Sequence, residues 1–233
     1  VLRFPYLLGR GRQLGDDHAD FRYFDFPAHG PNTEALLCVW RVREDAVLMG
    51  EMMLVLKNLA GEEGVKAVRH FLTGNGKPLR HGPETPLSRM AARSPQFVAN
   101  FLDVAMKIKE GVKRLAPRGL VPDFSALRVK PPPTHWGLKE FPLKSGFSEI
   151  DTLKAILGGT QGENLYARTL IHDPARRTYE LGLRWVILDH FGVGSDDLYA
   201  PGLIPFFILQ HERRGYRPYV NEVVIEGSVS GTY

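Results

Sequence analysis

The stretch that decides the fold is Tyr166-Ala167-Arg168-Thr169-Leu170-Ile171-His172, then Asp173-Pro174-Ala175-Arg176-Arg177, then Thr178-Tyr179-Glu180-Leu181-Gly182-Leu183-Arg184-Trp185-Val186-Ile187-Leu188. The first segment is rich in β-formers. The second has the composition of a turn. The third alternates, placing Tyr179, Leu181, Leu183, Trp185 and Ile187 on one face of a strand. Together they predict an antiparallel hairpin over Tyr166–Leu188. Downstream, Asp189 to Asp197 leaves the strand through Gly192 and Gly194. Ile204, Phe207, Ile208 and His211 fit a short helix after Pro201, and Tyr219–Gly227 reads as a closing strand.

Upstream the period changes from two to that of a helix. Residues 1–32 read as an irregular arm, with a short helix near Asp16–Asp20. Asn32-Thr33-Glu34 opens a helical run to Leu59, with a break near Glu44-Asp45 and an end at Gly61. A second helix covers Glu62–Leu72 and stops at Thr73-Gly74-Asn75-Gly76. A helical stretch over Pro86–Leu115 is divided by Pro95, because proline removes a donor and clashes with the preceding turn. Residues 117–146, with Pro131-Pro132-Pro133, are loop-like. The expected fold is therefore α+β: a helical N-terminal half packed on a small antiparallel β-sheet that carries a short helix in the C-terminal half. Residues 1–116 form a helical subdomain, 117–146 a Pro-rich linker and 147–233 the sheet subdomain, the whole being one compact unit.

The chain has 233 residues, of which 43% are hydrophobic and 24% charged, which is the composition of a folded globular protein. The net charge of +4 is small and its Lys and Arg are scattered. A nucleic-acid binder shows a dense basic stripe instead, so nucleic acid is not the expected partner. No apolar run approaches a membrane span. One cysteine, Cys38, precludes an internal disulfide, and its place beside Leu37 and Val39 predicts a buried small hydrophobe. The start at Val1 suggests a domain excised from a longer protein.

The densest polar constellation is Asp189-His190 with Asp196-Asp197. With Asp189 ending the strand, the sheet would fix the backbone while solvent reached the tip. Three carboxylates and an imidazole would serve there as acid and base or hold a divalent metal; equally, such segments cap turns. A second candidate is Gln210-His211-Glu212-Arg213-Arg214, where Arg213 beside carboxylates would hold a phosphate or oxyanion, or the helix end would simply be solvated. Asn221-Glu222 interrupts an apolar strand, either as its solvent face or lining a site beside Asp189. His172 is accounted for by the turn. Gly74-Asn75-Gly76-Lys77 lacks the spacing of a phosphate loop and follows a helix. There is no His-Glu-x-x-His, no Cys-x-x-Cys and no Gly-x-Ser-x-Gly, which argues against zinc proteases, zinc fingers and α/β-hydrolases.

The stretch Leu183-Arg184-Trp185-Val186-Ile187-Leu188-Asp189-His190-Phe191-Gly192-Val193 resembles the signature of the domain of unknown function 3289 family of Gram-negative bacteria. Asp196-Asp197, Phe207-Ile208-Leu209-Gln210 and Gly215-Tyr216-Arg217-Pro218-Tyr219 follow in the family's order. His70-Phe71-Leu72, Gly74-Asn75-Gly76 and the acidic cluster Asp16–Asp20 also resemble it. The resemblance implies a secreted antibacterial effector toxin, delivered to the periplasm of a target bacterium by a secretion system with a carrier domain and matched by an immunity protein. A more distant similarity is to colicin M-type toxins, which cleave the lipid-linked peptidoglycan precursor. Here Asp197-Leu198-Tyr199 is followed by Ala200, and Glu212 separates His211 from Arg213, so no catalytic role is carried over.

The combined expectation is a hydrolase acting on peptidoglycan or its lipid-linked precursor. Asp189 or Asp197 would be the base or metal ligand, with Asp196 beside them. His190 or His211 would be the second acid-base group, and Arg213 the charge stabiliser. The alternatives are a non-catalytic module of a secreted protein and a metal-dependent nuclease toxin.

Overall fold

The computed structural model describes residues 4–11, 37–116, 120–136, 148–158, 160–194, 198, 203–211 and 214–233. It is an α+β fold built on one five-stranded sheet in the order β1-β3-β4-β5-β2. The strands are β1 (Tyr6–Arg10), β2 (Leu79–His81), β3 (Gly162–Asp173), β4 (Thr178–Phe191) and β5 (Tyr219–Thr232). The helices are α1 (Asp45–Thr73), α2 (Pro86–Arg93), α3 (Pro95–Leu115), α4 (Glu149–Leu157) and α5 (Ile204–His211).

The hairpin β3–β4 turns over Asp173–Thr178 as expected. Two inner strands are longer than their composition suggested: β4 ends at Phe191 rather than Leu188, and β5 continues past Gly227 to Thr232. Cross-strand pairing explains this, because β4 and β5 stay in register from Thr178↔Thr232 to Phe191↔Tyr219. The sheet is mixed rather than purely antiparallel, since β2 adds to β5 in parallel. Two strands come from the segment read as helical or irregular. β1 lies within the expected arm, and β2 between Pro78 and Pro83, in the stretch that joins α1 to α2. One sheet thus joins residues of 1–116 to those of 147–233.

Core-facing residues of β4 follow the alternation: Tyr179, Leu181, Leu183, Trp185 and Ile187 are all buried. Each fully buried side chain of this size stabilises by about 1.5–3 kcal/mol relative to exposure. Helices α2 and α3 pack on β5, α4 on β4, and α1 on α4 and α5. Proline and caps set the helix boundaries. Ser94 Oγ accepts the Phe97 N–H at the start of α3, donates to Ala91 O at the end of α2, and receives the Trp136 Nε1–H. Buried Val129 and Trp136 anchor the described part of the Pro-rich segment, with Val129 N–H donating to Leu8 O.

Residues 37–41 are helical and the chain breaks before Glu44 caps α1, near the expected position. Within α1, Gly61 has φ 55 and ψ −134, so two helical segments meet at a kink there. That kink lays Gly64 against Leu56 O, where a Cβ would sit at 2.1 Å. Cys38 is exposed rather than buried: Leu37 takes the inward position and Cys38 and Val39 follow on the outside. The helix expected near Asp16–Asp20 lies outside the described residues. Among the described residues no helix is long and apolar enough to cross a membrane.

Candidate functional site

Asp189 is not at an accessible strand tip. It continues the alternation of β4 and is 4% exposed on the core face. Burial pushes its carboxyl well above the usual range, and the His190 backbone N–H only partly opposes this. Burial thus favours its neutral acid form over the carboxylate. His190, the next residue of the strand, projects from the opposite face, where Nδ1 meets Gln161 Oε1. One substrate cannot meet both side chains from one side of the sheet.

His211 closes α5 and is also buried. Its Nε2 lies 2.9 Å from Val193 O, and its ring packs 4.3 Å from that of Phe207. Beside it, Gln210 Oε1 accepts the Val193 N–H at 2.9 Å while Gln210 Nε2 donates to Val193 O at 3.0 Å. The Gln210-His211 pair thus fastens the chain leaving β4 to α5. Asp196, Asp197 and Arg213 lie outside the described residues, as does Ser195.

The polar group that the fold does assemble centres on His81. Asn221 sits directly opposite Asp189 on β5, on the core face, and is fully buried. Its Nδ2 donates to Ile156 O at 3.1 Å, which turns Oδ1 toward His81 Nε2 at 3.0 Å. The shared proton therefore belongs to His81 Nε2, and Nδ1 keeps its lone pair. The strand β2 places this imidazole: His81 pairs with Val223, and His81 O accepts from Ser88 Oγ at 3.1 Å. Burial lowers the His81 pKa below 6.5, against the opposing pull of the Asn221 hydrogen bond. At neutral pH the ring is an oriented, unprotonated base.

His81 lines a cavity of about 400 Å³ between the second half of α1, β2 and the start of α2. Glu63 and Lys66 enter it as an ion pair at 2.6 Å. Arg69 lines it too and has no carboxylate partner among the described residues. On the same wall, His70 Nε2 is 2.7 Å from Lys77 O, and its ring stands edge-on to Tyr219 at 4.5 Å. The arrangement can bind an anionic group at Arg69 and accept a proton at His81 Nδ1, while Glu63 holds Lys66. Among the described residues no three His, Cys, Asp or Glu are grouped to hold a metal ion.

Sequence reasoning found Asn221 as one of its two open readings and missed His81, Arg69, Lys66 and Glu63. A signal for His81 existed only as Leu79 and His81 alternating about Arg80, too short to stand out between prolines. No family model, curated protein or solved structure matches the chain.

Proposed function

We propose that this chain is an antibacterial effector domain that hydrolyses a bond in the anionic cell envelope, at the His81 cavity. The single observation that carries the reading is a buried histidine, oriented by Asn221 and neutral at pH 7, facing a cavity that also holds Arg69, a cation with no carboxylate partner among the described residues. His81 Nδ1 takes a proton from water as the oxygen attacks an acyl or phosphoryl centre, and returns it to the leaving group. Arg69 stabilises the negative charge that develops. Peptidoglycan and its lipid-linked precursor both carry acidic groups next to hydrolysable bonds. The proposed setting is the periplasm of a target bacterium, with an immunity protein protecting the producer.

The test is growth of a bacterium expressing the chain with and without a periplasmic signal sequence, alongside His81→Ala and Arg69→Ala. Arg69 is exposed, so its variant folds even if the His81 variant does not. Lysis that needs the signal and is lost in Arg69→Ala supports the reading; purified peptidoglycan and lipid-linked precursor then separate the two substrates. Killing only without the signal favours the nuclease. Soluble protein that is harmless in both compartments favours a non-catalytic module.

A further inference from the structure

The face of the sheet opposite His81 holds a second cavity, of about 480 Å³. Pro5, which precedes β1, and Pro83, which follows β2, both line it, although β1 and β2 are the two edges of the sheet. The sheet therefore curls so that its outer face is concave. Val186, Leu188 and Val224 form an apolar floor, since Val186 pairs with Val224 and both flank Leu188 on the same face. The volume is that of a small-molecule site.

Each cation on this floor already meets a carboxylate, Arg80 meeting Glu222 and Arg184 sharing Glu226 with Arg168. Arg80 pairs with Glu222, Nη2 donating to Oε2 at 3.1 Å and Nε lying 3.0 Å from Oε1. Arg184 donates Nε at 3.2 Å and Nη2 at 3.0 Å to Glu226 Oε1. An anion would have to displace a carboxylate from one of these forks. What remains is hydrogen-bonding capacity on ion-paired groups, further N–H groups on both arginines and lone pairs on Glu222. The Asn164 carboxamide and Tyr166 hydroxyl have no hydrogen-bond partner among the described residues, and both line the cavity.

We infer that this concave face is a binding site for a neutral saccharide. A sugar ring presents what the cavity complements: C–H faces for Tyr166, the prolines and the aliphatic floor, and adjacent hydroxyls that each donate and accept. The site is separate from the His81 cavity and does not rest on its proposed chemistry.

Saturation-transfer NMR on the full chain tests this with chitotriose, maltotriose and inorganic phosphate as probes. Binding of at least one saccharide is expected, weakened fivefold or more by both Tyr166→Ala and Asn164→Ala. Phosphate is expected neither to bind there nor to compete. Both substitutions lie on the outer face, and unchanged thermal unfolding verifies folding. The inference is overturned if neither saccharide binds, if phosphate displaces the saccharide, or if both variants bind as tightly as the parent.

Discussion

Glu163 is a carboxyl with no exposed surface, on the core face of β3. Oε1 accepts the Thr134 N–H at 2.6 Å and Oε2 accepts the Trp185 Nε1–H at 3.0 Å. Those donors favour the ionised form, but burial outweighs them and raises the pKa from 4.5 to about 7. The folded state therefore holds this proton more tightly than the unfolded chain does. Its contribution to stability is complete below pH 4.5 and is lost as pH rises through about 7. The pKa difference corresponds to about 3 kcal/mol between those limits.

Asp189 acts in the same direction, so the parent's pH profile alone does not isolate Glu163. The informative quantity is the parent minus Glu163→Gln, measured by urea unfolding from pH 4.5 to 8. The glutamine cannot accept from both N–H groups through oxygen, so one buried donor loses its partner. That loss costs about 1–3 kcal/mol at every pH. Above it, the parent's advantage should shrink by about 3 kcal/mol as pH rises. In thermal unfolding this is a relative change of about 6–12 °C for a chain of this length. A difference that stays constant within about 1 kcal/mol over the window would show that Glu163 is not held as a raised, buried acid.

Two further outcomes follow from packing. Gln210→Ala removes both bonds to Val193 and should lower stability by about 2–4 kcal/mol, read from the urea midpoint; an effect below about 0.5 kcal/mol would mean the loop is not fastened there. Gly64→Ala places a methyl 2.1 Å from Leu56 O at the α1 kink. Backbone cannot yield as a side-chain tip does, so a loss of at least about 3 kcal/mol is expected by calorimetry, whereas a neutral result would refute the close approach.

Much of the fold was legible because its signals are local. Gly61, Gly74 and Pro95 punctuate the helices by their own backbone chemistry, and the breaks fall where those residues stand. What was missed has a different origin. β1 and β2 are short, and pairing with β3 and β5 defines them rather than any pattern of their own. Ser148 capping acidic α4 was a readable start, with Ser148 Oγ accepting the Asp151 N–H at 3.0 Å. The run that follows it is only nine residues.

The candidate site shows the same divide between local and distant signals. Counting by two from Tyr179 through Ile187 reaches Asp189 and Phe191, both core positions, so the burial of Asp189 was implicit in the alternation itself. The apparent cluster Asp189-His190 dissolves by that count, because neighbours in a strand face opposite ways. His81 could not be reached in this manner. Its partner Asn221 is 140 positions away, and only the parallel addition of β2 to β5 brings the two together. A polar residue on the core face of a strand is costly unless something answers it. Asn221, noticeable as an interruption in apolar sequence, was therefore the better pointer to the site than the denser acidic run, since its burial demanded the partner that His81 supplies.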